Sequence, residues 1–298
     1  MAKLRSIILR NYRRFAGEIA LPLDPGTTMV IVPPGHGKST VLEAIAWGLL
    51  GTALVPRPGD VPNADAVGAG QAEVMVGLEF VNGERLERSA WFSRAGEEVK
   101  QERWGWRLVD AGSGTALAEG DDGEDFADQQ ERLFPEGCVH ANLISGPGLG
   151  AALRGARTGA ERAVECSNVW CTSDLSLRAS MEATGLFLSW RPDAPVNTLG
   201  FDPQGRPEVS ACGPLDEGDL HLALLALALA FAKENGRTCP VLLDDPFGPA
   251  GDRDRMALFG PVLEAMDGRQ LVFLLSDELD ALALRSTGRV DKELEIRG

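Results

Sequence analysis

Basic charge is what this sequence is short of. Lysine and arginine number 29 against 44 aspartates and glutamates, a formal net charge of −15 over 298 residues. That balance opposes non-specific attachment to nucleic acid or to an anionic membrane, so any DNA contact needs a local basic patch or a partner. Cysteine is sparse too: five residues, an odd number without regular spacing, argue against a disulfide framework and suit a reducing cytoplasm. Cys166 and Cys171 form a C-x4-C pair, but two sulfurs do not complete a tetrahedral zinc site. Long apolar runs are missing. The longest, Leu220 to Ala232, contains His221 and falls short of the roughly 18 residues that suggest a membrane span. Ile7 to Leu9, near the N-terminus, is too short for a signal-peptide core. Sustained heptads of a long coiled coil are lacking, as is the N-K-x-D tetrapeptide that reads guanine. Together these absences predict a soluble, cytoplasmic protein without a membrane partner. A hydrophobic content of 44% with 24% charged residues is ordinary for a globular chain, long enough for one α/β domain or for two lobes sharing a sheet.

What is present concentrates in Thr27 to Leu50, TTMVIVPPGHGKSTVLEAIAWGLL. Met29 to Val32 reads as a buried strand, Pro33 to Gly37 as a tight loop and Lys38 onward as a helix, the context that a phosphate-binding loop requires. Backbone N–H groups converge there on an anion at the helix N-terminus, where the dipole favours negative charge. Lys38 is placed to reach terminal phosphates and the Ser39 hydroxyl to ligate magnesium. Leu42, Ile45, Ala46 and Leu49 give the helix an apolar face for a sheet. The pattern G-x-x-x-x-G-K-[ST] asks for glycine at position 32, where this chain has Val32. A β-branched residue resists positive φ, so the start of the loop is expected to be rebuilt, while Gly35 and Gly37 remain. The plainer alternative is a glycine-bearing strand-to-helix turn that binds nothing.

Around this element, Leu4 to Leu9 and the alternating Ile19, Leu21 and Leu23 read as strands joined through Asn11-Tyr12-Arg13-Arg14-Phe15. Gly51 to Gly70 reads as a surface loop. Ala72, Val74, Val76, Leu78 and Phe80 alternate strictly, Asn82-Gly83 marks a hairpin, and Leu86 to Phe92 and Trp104 to Val109 complete an antiparallel layer. The acidic run Glu119 to Asp128 reads as a solvated loop. Leu153 to Val164 predicts a short helix whose Arg154, Arg157 and Arg162 face solvent or a phosphate. Leu186 to Trp190 and Thr198 to Phe201 look like strands, with a turn at Pro203-Gln204-Gly205. Leu220 to Ala232 is apolar on every side, hence a buried helix, with Lys233 and Gly236 as its stop signals. Strands Val241 to Leu243 and Leu271 to Leu275, alternating with helices Asp254 to Met266 and Asp277 to Leu284, imply parallel βαβ units.

Asp244-Asp245 follows the first of those strands. A carboxylate at the C-terminal end of a parallel strand can hold magnesium, and the next one can polarise an attacking water.

In order along the chain, LRNYRRF, PPGHGKSTVLEAI, LDEGD before a long apolar helix, and VLLDDPF resemble the ABC-type ATPases of the SMC and RecF class, the head domains of chromosome and DNA-repair proteins. The resemblance brackets nearly the whole chain. It implies an α/β P-loop NTPase fold, an ABC-type head with a mixed or parallel core sheet and an antiparallel β layer. Its parts would be an N-terminal lobe at 1–150, a connecting segment at 151–185 and a C-terminal lobe at 186–298. It also implies ATP and Mg2+ as cofactors. Carried over residue by residue, Gly35, His36, Gly37, Lys38, Ser39 and Thr40 hold the phosphates, with Ser39 and Asp244 on the magnesium. Arg13 approaches the nucleotide from the first loop, Asp245 takes the place of the catalytic glutamate beside Lys38, and Asp216 and Gly218 belong to the signature segment. In such proteins that segment covers the nucleotide of a second subunit, which implies an ATP-dependent homodimer acting with DNA or with a DNA-processing or DNA-defence partner.

This chain departs from the pattern in four further places. Asp216 replaces the signature serine and sets an anion against an anion; Asp245 is one methylene shorter than glutamate; Ser276-Asp277 stands where a histidine is expected; and no glutamine lies near Leu143 to Gly146. Lack of the family's long coiled coil makes the chain resemble the compact RecF arrangement, or a head whose arm was lost or removed. The departures leave a non-hydrolysing regulatory module as the rival reading, and a P-loop GTPase or small-molecule kinase as a third.

Overall fold

The computed structural model describes residues 3–51, 58–68, 70–96, 98–135, 142–145, 173–201, 207–235, 239–248 and 252–296. In chain order the first elements are β1 (Leu4–Arg10), β2 (Glu18–Pro22), β3 (Thr27–Ile31), α1 (Lys38–Leu50) and α2 (Ala64–Gly68). Next come β4 (Gln71–Phe80), β5 (Glu84–Ala95), β6 (Glu98–Asp110), β7 (Ala116–Gly120), α3 (Gly123–Leu133) and β8 (Leu143–Ser145). The last group is α4 (Ser173–Trp190), β9 (Val196–Phe201), β10 (Pro207–Ala211), α5 (Glu217–Asn235), β11 (Val241–Asp244), α6 (Asp252–Ala265), β12 (Leu271–Leu275), α7 (Glu278–Ser286) and β13 (Lys292–Glu295). These form two units that interleave in sequence. One holds the described residues of Met1–Pro25 and Pro34–Glu136 with Ile296, the other those of Gly26–Pro33 and Gly137–Glu295.

In the first unit six antiparallel strands run in the order β2-β1-β4-β5-β6-β7. The alternating Ala72, Val74, Val76, Leu78 and Phe80 of β4 are all buried. Gly83, at φ +87°, takes the left-handed turn into β5. Helix α1 lies on this sheet so closely that a Cβ on Gly48 would stand 2.7 Å from Val76 Cγ1. Beside the last turn of α1, Arg88 of β5 lies 4.6 Å from the Trp104 ring, 4.8 Å from Phe126 and 5.8 Å from Trp47. Burial pushes its pKa down to about 10, so it stays a cation held by aromatic faces. The acidic run is not a loop. Its first residues finish β7 and the rest begin α3, where Asp122 accepts the Glu124 N–H and Glu124 and Asp125 occupy the first turn. Carboxylates stabilise a helix there by meeting unpaired N–H groups and the positive end of the dipole.

The second unit is built on five parallel strands in the order β13-β3-β12-β11-β8. The βαβ expectation is met, and β8 and β13 are additions that the sequence did not announce. Helix α5 is buried on every side, Leu222 through Ala232 being almost wholly enclosed. Leu186 to Trp190 is not a strand but the last turns of α4. Ala179, Ala183, Phe187 and Trp190 are its buried face, a helical period that a five-residue window is too short to reveal. Thr184 clips α4 to β9 by donating to the Ser180 carbonyl at 2.8 Å and accepting the Leu199 N–H at 2.9 Å. Within Gly51 to Gly70, read as a loop, the described residues include a 3-10 turn and α2. The predicted helix at Leu153 to Val164 with Arg154, Arg157 and Arg162, the Cys166–Cys171 pair, the turn at Pro203-Gln204-Gly205, and Gly236 lie outside the described residues. No helix among the described residues is long and apolar enough to cross a membrane.

Candidate functional site

All five strands of the parallel sheet point the same way, so β3, which leads into the glycine loop, and β11, which ends in Asp244, finish at one edge with β12 between them. Val32 continues β3, fully buried, donating its N–H to the Leu275 carbonyl at 2.8 Å. It is absent from the residues with positive φ, so here the loop opens without the left-handed residue that a glycine would serve. That conformation is confined to Gly35, at φ +81°, and Gly37, at φ +94°, the N-cap of α1. Lys38, Ser39 and Thr40 form the first turn, which has no acidic residue, and no side chain caps it. A helix start left this way, behind two glycines, suits an anion; the donor set therefore fits the phosphates of a nucleotide. His36 is exposed, with Nδ1 3.1 Å from the Pro34 carbonyl.

The segment joining β1 to β2 supports this loop. Phe15, buried, stands 3.2 Å from where a Cβ on Gly37 would lie, and the Cβ of Arg14 3.6 Å away. Arg13 adopts φ +48° and its guanidinium is ion-paired with Glu43 of α1. It is Arg14 that reaches the loop, donating from Nη1 to the Gly35 carbonyl at 2.5 Å. Nothing in the spacing separated these adjacent arginines. Asn63 closes the arrangement by donating to the Arg13 carbonyl at 2.6 Å.

At the end of β11, Asp244 is fully buried. Asp245 follows with φ +38°, a left-handed turn that aspartate tolerates better than most residues. Both its carboxylate oxygens are taken by Ser276, from the backbone N–H at 3.0 Å and from Oγ at 2.7 Å. Ser276 follows β12, which lies between β3 and β11; the sequence marked it only as standing where a histidine is expected, and its bond to Asp245 comes from the β11–β12 pairing. Asp277, in the place of the expected histidine, caps α7 by accepting the Leu279 N–H at 2.8 Å and pairs with Arg255 at 3.2 Å.

Asp216 is the N-cap of α5. Its Oδ1 accepts the Asp219 N–H at 2.7 Å and its carbonyl the Leu220 N–H at 3.1 Å. Serine and aspartate serve equally well in that position, which gives the acidic replacement a structural reason. Gly218 lies in the first turn of α5. From one turn further on, buried His221 donates from Nε2 to the Pro246 carbonyl at 2.7 Å, tying α5 to the turn that follows Asp245. Burial lowers the pKa of that imidazole.

Comparison with known proteins adds what the chain is similar to. Residues 6–129 match the AAA domain family. The chain is 27% identical over 143 residues to the DNA double-strand break repair Rad50 ATPase of Methanosarcina mazei, which covers 47% of this chain and 12% of that protein. Over 44 residues it is 43% identical to the chromosome partition protein Smc of Mycobacterium tuberculosis, 15% of this chain and 4% of that one. Among solved structures, the SMC head domain from Thermotoga maritima superposes with a TM-score of 0.57 at 14% identity, covering 99% of this chain and 95% of that one. The Smc head with an extended coiled coil bound to the C-terminal domain of ScpA, from Pyrococcus furiosus, gives 0.62 at 13%, covering 95% and 92%. The fold is that of the SMC head domains. The chain spans only a small part of the curated relatives' full lengths.

Proposed function

We propose that this head binds ATP with magnesium, hydrolyses it slowly, and pairs with a second copy in doing so, thereby controlling a partner in DNA repair, DNA processing or DNA defence. The observation that carries the reading is the loop itself. Two left-handed glycines open a helix with neither acid nor side-chain cap in its first turn. In this reading Gly35 to Thr40 hold the phosphates, Lys38 and Ser39 the terminal phosphate and the metal, and Asp244 the metal side. Asp245 orients water, and Asp216 and Gly218 face the second copy. Bound ATP and magnesium supply the charge-stabilised phosphoryl group on which these residues act. The names of the Rad50 and Smc relatives support the link to DNA, and the ScpA-bound Smc head supports a protein partner.

Calorimetry of Lys38→Ala tests it. Removing the phosphate-directed charge is expected to weaken ATP binding about tenfold to a hundredfold with the fold intact, and equal affinity of the two proteins rejects the assignment. A non-hydrolysing regulatory head is the second reading, favoured by Asp216 being a helix cap and by the capture of both Asp245 oxygens by Ser276. Turnover measured with and without DNA separates the two.

A further inference from the structure

Two adjacent arginines meet the phosphate loop differently. Arg13 is committed elsewhere: its charge is paired with Glu43, its N–H donates to the Val61 carbonyl at 2.9 Å, and its carbonyl accepts from Asn63. Arg14 is exposed, and among the described residues its bond is the one to the Gly35 carbonyl. That bond falls on the most adaptable point of the loop. Gly35 has φ +81° and nothing within 4 Å of where a Cβ would lie, so on its Gly35 side no side chain resists rotation of the peptide unit between Gly35 and His36, and only the His36 side chain, which disfavours positive φ, opposes it from within the loop. The unit is planar and trans, so its C=O and N–H point in opposite directions. Rotation by half a turn would exchange them and offer an oxygen where the His36 N–H had been. An oxygen repels phosphate; an N–H binds it.

We propose that Arg14 is a positioning residue of the phosphate loop: by holding the Gly35 carbonyl, its guanidinium keeps the His36 N–H turned toward the anion. The proposal rests on the reading of this loop as a phosphate site. Arg13, which the family resemblance places near the nucleotide, instead braces α1 through Glu43. Lysine at position 14 keeps the charge and a donor on a more flexible stem, and so restores part of the effect.

The test uses the full chain as wild type, Arg14→Ala and Arg14→Lys. Backbone hydrogen exchange of the loop peptide is measured without nucleotide, and ATP–magnesium affinity by calorimetry. Arg14→Ala should speed exchange at 35–37 and weaken ATP about tenfold, with Arg14→Lys intermediate in both and the thermal midpoint of the nucleotide-free protein unchanged in each. Unchanged exchange with weakened ATP binding overturns the proposal in favour of a direct contact with nucleotide. Faster exchange with unchanged affinity overturns it as well, because the orientation then has no bearing on phosphate, and so does a lowered thermal midpoint in both variants, which marks Arg14 as a general stabiliser. Should Lys38→Ala bind ATP as wild type does, the nucleotide reading itself fails, and the exchange result, taken without nucleotide, stays separately legible.

Discussion

Val32 sits where a phosphate loop ordinarily opens with glycine, and the expectation that the loop would be rebuilt around it is answered by a residue that simply prolongs β3, buried and bonded to Leu275. Val32→Gly should therefore lower stability by roughly 2–4 kcal/mol, from lost burial and added chain entropy, without improving ATP affinity. Urea midpoints and calorimetry check the two halves. At Asp245 the expectation is functional. Asp245→Asn keeps the volume and can still meet Ser276, so ATP binding should persist while turnover falls severalfold or more; unchanged turnover places the base elsewhere. Gly35, Gly37 and Lys38 were legible in the sequence because left-handed glycines before a helix are a local device. The partnerships Arg13–Glu43 and Asp245–Ser276 were not, since each joins residues about 30 positions apart that only the packing of α1 and the β11–β12 register bring together.

Helices tell a similar story one level up. Helix α5 was readable because its apolar run exceeds three turns, whereas the end of α4 passed for a strand and the start of α3 for a loop, short windows in which apolarity or charge alone is ambiguous. What α5 does beyond filling the core depends on His221. Its imidazole is fully buried, donates to the Pro246 carbonyl, and has its pKa lowered from 6.5 chiefly by desolvation, partly offset by that hydrogen bond and by Glu217. A folded-state pKa below the unfolded value means that the unfolded chain takes up the proton first. The contribution to stability is thus intact above about 6.5 and is lost as the pH falls through the folded pKa. Thermal midpoints should drop across that interval in wild type and drop less in His221→Gln, which retains a donor without a titrating group. Parallel pH profiles in the two proteins would assign the acid sensitivity to other groups.

At the scale of the whole molecule the sequence gives a charge that its fold does not cancel. Each copy carries −15, so bringing two together around ATP works against long-range repulsion that salt relieves. The Debye length shrinks from about 10 Å at 0.1 M to about 3 Å at 1 M. Dimerisation with ATP and magnesium should accordingly strengthen as salt rises over this range, whereas direct binding to DNA, if a local patch supplies it, should weaken. One loop and one signature segment per chain can complete two sites only by two-fold pairing, and ATP can drive that pairing only as far as it binds the closed form better. Asp216 sharpens the test. Serine there keeps the N-cap of α5 while removing a negative charge from the segment proposed to face the partner's phosphates, so Asp216→Ser should leave the thermal midpoint of the nucleotide-free protein unchanged and raise the dimer fraction with ATP. Sedimentation of both proteins across a salt series reads this out. A dimer fraction that is zero in both, or that ignores the substitution at every salt concentration, means that the segment does not face phosphate, and favours the reading of a non-hydrolysing regulatory head.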